Sequence, residues 1–364
     1  IVFYNGNKYT NYCNVHSWKN GICVECNSIE EPQLVDDCYE IANYGNLIWF
    51  QQYVDAGNVN INAKLTSDIV ANENLLDSSG NVQGTPKYNW TPIGRGYSNS
   101  SDSYNGVFDG TGYSISGLYS NGTENYCGFF GKMNKGTIKN LSIVDSYFGK
   151  SSCYYVGSFV GYGYRYSNIE NCYSNATTVG LHYCCGIAGE TKGTVSNCLY
   201  NGKIKSTRNS NAIATDYKSY GKLTNCYYNE NCGLSSSRAT AVTAAQLSSG
   251  EVAYLLNGDQ SAINWYQNVD KGEKDNAPTL NSEHYRVYKG DNIYTNDLDK
   301  HSHVYNNGIC DICNKACTHG KYKNGICTYC EYGVEEPQLV DNYYEIANYG
   351  NLIWFQQYVD TGNV

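Results

Sequence analysis

One short phrase, repeated between Val107 and Cys232, limits what this chain can fold into. An apolar pair flanked by glycine leads through a turn to Asn followed by Leu or Cys. The copies are Cys127-Gly-Phe-Phe-Gly131 with Thr137-Ile-Lys-Asn-Leu141; Val156-Gly-Ser-Phe-Val-Gly161 with Asn168-Ile-Glu-Asn-Cys172; Cys185-Gly-Ile-Ala-Gly189 with Thr194-Val-Ser-Asn-Cys198; and Asn211-Ala-Ile-Ala214 with Lys222-Leu-Thr-Asn-Cys226. Successive Leu/Cys ends are 31, 26 and 28 residues apart. A period in this range is the mark of a solenoid, in which each unit buries its apolar face only by stacking on the next.

Stacked turns lie about 4.8 Å apart and place like residues in line. Leu141, Cys172, Cys198 and Cys226 are therefore expected to form one inward ladder, and Ile138, Ile169, Val195 and Leu223 another. Asn140, Asn171, Asn197 and Asn225 are expected to stack with their amides bonded along the axis. The ladder cysteines read as buried thiols acting as small hydrophobes, with a disulfide between adjacent rungs as the alternative.

A second, longer period encloses the first. Glu30-Glu-Pro-Gln-Leu-Val-Asp36 recurs at Glu335–Asp341, and Tyr39–Asp55 recurs at Tyr344–Asp360, an offset of 305 residues. Near-identity over such a length marks a tandem module of about 305 residues, and the chain reads as an internal piece of a longer array. Composition agrees with many short strands joined by polar turns: 37 Gly and 38 Tyr against 5 Pro and 1 Met, with 16% charged residues. The net charge of −9 argues against nucleic acid or an anionic membrane surface as partner. No apolar run is long enough to span a bilayer.

Between the long repeats lie Cys/His segments. Cys13, His16, Cys23 and Cys26 give C-x2-H-x6-C-x2-C. Cys317, His319, Cys327 and Cys330 repeat the pattern with slightly altered spacing, and His301, His303, Cys310 and Cys313 form a further set upstream. All three carry Asn-Gly-Ile-Cys. Four borderline or soft ligands with a C-x2-C pair suit structural tetrahedral Zn2+, and a metal explains how so few residues with little core could fold. Disulfides remain the alternative.

Further along, Asn43 is a plausible N-cap for a helix whose Leu47, Phe50 and Val54 share a face, with Trp49 and Tyr53 beside it and Gly57 as the stop. Ala63–Ile69 reads as a strand. Trp90-Thr-Pro-Ile-Gly94, Phe108-Asp-Gly110 and Ile115-Ser-Gly-Leu118 precede the Gly-Phe-Phe-Gly and Asn-Cys turns. In that order, over roughly residues 33–280, these motifs resemble bacterial cell-surface proteins with GLUG-type repeats on a right-handed parallel β-helix. The resemblance implies a mostly β chain with short capping helices and zinc-ribbon-like linkers. The expected division is a knuckle at 1–29, a cap helix and first strand at 30–75, a β-helix at 76–237 and a C-terminal cap at 238–282, with Ala244–Asn257 helical. A strand linker at 283–300, knuckles at 301–333 and the start of the next repeat at 334–364 complete it.

Chemistry is sparse. The solenoid acids Asp109, Glu124, Asp145, Glu170, Glu190, Asp216 and Glu230 are scattered singly, His182 is isolated, and no nucleophile or phosphate-binding motif occurs. The expectation is a non-catalytic extracellular structural protein at the bacterial surface, a stalk, fibre or filament whose partners are neighbouring copies of its own module. The alternative is an adhesin binding glycan or host protein through Tyr154, Tyr155, Tyr162, Tyr164 and Tyr166. A polysaccharide lyase or hydrolase ranks behind both.

Overall fold

The computed structural model describes residues 16–94, 103–121, 125–216, 221–259, 261–290 and 333–362, with short pieces at 2–4, 7–9, 293–297, 305–306, 309–310, 316–317, 322–328 and 331. It forms two compact units, Ile1–Val287 and Tyr288–Val364.

The first unit is a parallel β-solenoid of about 6 turns. Each full turn visits three sheets. One turn runs through Phe130–Met133, Thr137–Val144 and Tyr147–Gly149, and the next through Val160–Gly163, Asn168–Ser174 and Thr177–Cys184. Their registers are those expected from the repeat: Ile138 faces Ile169 and then Val195 and Leu223, and Leu141 faces Cys172. Leu141, Cys172, Cys198, Ile138 and Val195 are fully buried, so one contiguous core runs along the axis.

The Asn column sits at a bend within the largest of the three sheets. Asn140, Asn171, Asn197 and Asn225 have φ of 51°, 49°, 51° and 50°, a left-handed conformation that Asn tolerates better than other side chains. Asn171 Nδ2 donates to Asn140 Oδ1 at 3.3 Å, and Asn225 Nδ2 to Asn197 Oδ1 at 2.9 Å. The cysteine that follows has a part in the same bend. The thiols of Cys172, Cys198 and Cys226 donate to the carbonyls of Glu170, Ser196 and Thr224 at 3.2, 3.1 and 3.3 Å. Each thereby satisfies the carbonyl just before the left-handed Asn, which the apolar Leu141 cannot do. The Asn-Cys pair is a corner device as well as core filling.

Helix α1, Tyr44–Asp55, closes the first turn. Asn43 caps it by accepting from Asn46 N, and Gly57, at φ 107°, donates to Val54 O. Leu47, Phe50 and Val54 are buried, Phe50 lying edge-on to Tyr104 and Phe108. The strand expected over 63–69 is two pieces, Asn62–Leu65 and Ile69–Val70. Asp68 separates them because its Oδ1 turns to the next coil, accepting from Ser114 N and Oγ at 2.7 and 2.9 Å.

The helical segment expected over 244–257 is also two pieces, α2 Ala244–Ser248 and α3 Glu251–Leu256. It is broken at Gly250, which sits at φ 90°. Thr243 and Gln246 form a capping box at its start. Leu247, Val252, Leu256 and Trp265 pack against Leu199 and Tyr227 in a second cluster. Cys198 and Tyr200 belong to the axial core, so by alternation this cluster covers the outer side of the sheet. The chain then returns along that side until Leu280 O lies 2.7 Å from where a Cβ on Gly112 would sit.

The second unit holds the hairpins Tyr288–Lys289/Tyr294–Thr295, Tyr322–Lys323/Ile326–Cys327 and Gln338–Val340/Tyr343–Glu345, then α4, Tyr349–Asp360. Helices α1 and α4 have the same twelve residues and the same Asn cap. Their burial differs: Leu47, Phe50 and Val54 are 0%, 0% and 1% exposed, whereas Leu352, Phe355 and Val359 are 53%, 37% and 38% exposed. In the first unit the solenoid turns supply the cover. Among the described residues nothing supplies it for α4.

Candidate metal knuckle and aromatic face

The Asn20-Gly21 turn builds the first knuckle. It joins the strands Trp18–Lys19 and Ile22–Cys23 with φ of 51° and 72°, the mirror-image turn that Asn-Gly favours. The chain then folds back, Asn27 N donating to Cys23 O and Cys23 N to Ser28 O, both at 2.9 Å. This brings three of the four expected ligands together. His16, Cys23 and Cys26 place their donor atoms within 4.8 Å of one another, with His16 Nδ1 3.5 Å from Cys26 Sγ. His16 stacks on Trp18 at 4.7 Å. Burial works to raise the Cys23 thiol, but hydrogen bonds from His16 and from the backbone at Cys26 and Glu25 outweigh it and bring it down to about 6. Cys13 lies outside the described residues.

The later knuckle shows the complementary half. Cys317 and Cys327, the counterparts of Cys13 and Cys23, are buried with their sulfurs 3.5 Å apart. His319 and Cys330 lie outside the described residues, as do His301, His303 and Cys313; of Cys310 only the backbone is described. Two ligands sharing a tetrahedral ion at about 2.0–2.3 Å stand about 3.3–3.8 Å apart. The His16–Cys26 and Cys317–Cys327 separations fit that edge, and a Cys3His donor set fits zinc chemistry.

The knuckle is anchored to the solenoid. Tyr44 N donates to Asn20 Oδ1 at 3.0 Å and Gly45 N to Asn20 O at 2.9 Å; Asn20 Nδ2 reaches Val70 O at 2.7 Å. Glu30 accepts from Asn43 Nδ2 through its side chain and from Asn46 Nδ2 through its carbonyl. In the second unit Asn324, Glu335, Asn348 and Asn351 repeat the bonds to the helix start: Tyr349 N to Asn324 Oδ1 at 3.3 Å, Gly350 N to Asn324 O at 3.0 Å, Asn348 Nδ2 to Glu335 Oε2 at 2.8 Å, and Asn351 Nδ2 to Glu335 O at 2.9 Å. The repeated Asn-Gly was visible in the sequence, but its docking on the helix N-terminus was not.

Four of the five tyrosines singled out for binding gather on one face. Tyr155 stacks between Tyr126 and Tyr183, at 5.0 and 4.8 Å and nearly parallel, while Tyr162 meets Tyr126, Tyr155 and Tyr164 edge-on. Tyr154 stacks on His182 at 5.1 Å. Tyr166 is 67% exposed and makes no ring contact among the described residues. Tyr126 and Tyr183 were missed, although Tyr126 stands just before the Gly-containing phrase, as Tyr155 does, and Tyr183 two residues before it. Lys132 and Glu190, both buried, lie in register on either side of Tyr162, and the Lys132 ammonium stands 4.2 Å over the Tyr126 ring. Burial, with Glu190 next, pushes the Tyr155 hydroxyl up to about 12. Both faces of Tyr155 are covered by neighbouring rings, so a ligand there meets edges and hydroxyls.

Two of the solenoid acids are held by hydrogen bonds and an ion pair. Asp145 accepts from Leu75 N and Leu76 N, and Asp109 from Thr111 N, Asn140 Nδ2 and Lys139. These are corner and loop fastenings.

Residues 152–180 match the family model described as the GLUG motif, which bears out the resemblance read from the sequence. The matched stretch runs through one turn, from Cys153 past Asn171-Cys172 into the third sheet. No curated protein matches the chain. Among solved structures, a Bacteroides ovatus protein termed a putative immunoglobulin A1 protease is similar at 17% identity and a TM-score of 0.43, over 69% of this chain and 94% of that one. That likeness is too slight to carry an argument about chemistry. A GLUG-bearing β-solenoid fits a surface or structural role, and no helix among the described residues is long and apolar enough to cross a membrane.

Proposed function

We propose that this chain is a non-catalytic structural repeat of the bacterial cell exterior, in which β-solenoid modules are joined by zinc-stapled knuckles into a stalk or fibre. The observation that carries the reading is the knuckle–helix junction. It occurs twice, 305 residues apart in sequence, with the same Asn, Gly and Glu partners in the same bonds. A junction whose knuckle-to-helix bonds recur fixes each knuckle to the helix that opens the following module, which is what a regular extended array requires. Its partners are then neighbouring copies of the same module. Asp109 and Asp145, held in corner and loop fastenings, favour a scaffold over a hydrolase.

Chains of one, two and three modules test this. Small-angle scattering should give a maximum dimension that grows by a constant increment per module, and incubation with polysaccharides should release no reducing sugar. Collapse to a compact particle of rising radius, or measurable sugar release, would sink the reading.

A further inference from the structure

We propose that a trough on the side of the solenoid is a binding groove for a neutral oligosaccharide. It arises from one ladder position. Ser114, Ser142, Tyr173 and Leu199 follow one another in register on successive turns. The later pair is large and packs against the α2–α3 cluster. The earlier pair is small, and the returning segment 277–283 passes over it without filling the space. A cavity of about 500 Å³ remains, lined by Asp68, Tyr113, Ser114, Ser142, Tyr173 and Glu283 among others. It shares Thr111, Gly112 and Ser282 with a second cavity of about 240 Å³ at Asn140 and Tyr266, and Asp68 with a third of about 570 Å³ beside Lys19 and Tyr88. The two shared walls place the smaller and the third cavity on either side of the central one.

The lining selects the ligand class. Ser142 is 6% exposed, lines the central cavity, and its hydroxyl has no partner among the described residues. Asp68 spends only Oδ1 on Ser114, so Oδ2 is available to accept from a hydroxyl. Tyr113 is 39% exposed and, unlike Tyr155, makes no ring contact among the described residues, which leaves a face for the C–H side of a pyranose. The central cavity carries two carboxylates, Asp68 and Glu283, and no lysine or arginine, which disfavours uronates and sulfated sugars. An extended peptide is disfavoured because the floor strands are hydrogen-bonded on both sides and offer no edge for strand addition.

Calorimetric titration of the intact chain with tetrasaccharides of glucose (α- and β-linked), mannose, N-acetylglucosamine and galacturonate tests the proposal. At least one neutral tetrasaccharide should bind and the galacturonate should not. Tyr113→Ala and Ser142→Leu should each weaken binding about tenfold, the loss of roughly one good contact, with the melting temperature unchanged. Leucine is chosen because Leu199 already occupies that ladder position. The proposal fails if no neutral tetrasaccharide binds at millimolar concentration, if the galacturonate binds best, or if both variants bind as the parent does. It fails equally if Tyr154→Ala abolishes binding while Tyr113→Ala does not, since the aromatic face would then be the site.

Discussion

The carbonyl oxygen of Gly21 occupies the space that a side chain on Gly45 would need, while Gly45 N donates to Asn20 O at 2.9 Å. A knuckle turn and a helix start thus meet backbone to backbone. Gly45→Ala should force them apart and destabilise the first unit by about 1–3 kcal/mol, the usual cost of overpacking. Thermal unfolding checks the magnitude, and amide exchange at Trp18–Cys23 should rise selectively.

Metal content follows from the convergence of His16, Cys23 and Cys26. Purified chain should carry stoichiometric zinc, and Cys23→Ser or His16→Ala should each lower the count by one ion per chain. Cys198→Ala, in the solenoid core, should leave it unchanged. Chelator-released zinc, measured with a chromophoric indicator, decides the matter; a metal-free parent would sink the knuckle assignment.

The buried thiols predict alkaline sensitivity. Burial holds the Cys184 thiol up to about 12 and the Cys198 thiol well above its usual value; Cys226 is raised by its bond to Cys198 and then by burial. An unfolded thiol ionises near pH 8.5. Below that both states keep the proton and the thiols contribute nothing to the pH dependence. Above it only the unfolded chain loses the proton, so stability falls with rising pH by about 1.4 kcal/mol per unit for each such thiol. Urea unfolding between pH 7 and 10.5 should show the decline, and Cys198→Val should make it shallower.

Asn171 separates backbone conformation from hydrogen bonding. Its φ is 49° and its amide donates to Asn140. Asn171→Gly keeps the conformation and loses the bond, whereas Asn171→Ala loses both. Alanine should be the more destabilising by about 1 kcal/mol, read from urea midpoints.

Helices α1 and α4 are an internal control, one sequence in two environments. Leu47→Ala should cost about 2–5 kcal/mol, while Leu352→Ala, at 53% exposure, should stay within about 0.5 kcal/mol. Unit-resolved amide exchange measures both.

The solenoid was legible because its signal is periodic. Leu141, Cys172 and the Ile138–Ile169–Val195 ladder could be aligned by spacing alone, and Asn43 and Gly57 announced α1 by their residue types. Features joining distant segments were not legible. Nothing local to Asn20 says that it will meet Tyr44 and Val70. Nothing in Ser114 or Ser142 says that residues 277–283 will return to roof them. Gly250 lies inside a run of good helix formers, and its left-handed φ, which no neighbour in sequence announces, splits the helix. In the candidate site, Cys23 and Cys26 were evident as a C-x2-C pair, whereas the stacking of Tyr126 and Tyr183 on Tyr155 depends on three turns adopting the same corner.

The knuckle–helix junction also bears on the order of assembly. Its contacts to the helix span few residues, 24 from Asn20 to Tyr44 and 16 from Glu30 to Asn46, whereas Thr177 reaches back 97 residues to Gly80. Short loops close sooner and at less entropic cost than long ones. In the second unit the bonds from Asn324 and Glu335 to the start of α4 recur at similarly short separations. By that measure the knuckle and helix are the part of a module able to close first, a platform for the first rung. Each module of an array would carry its own template, which limits mispairing between near-identical solenoids.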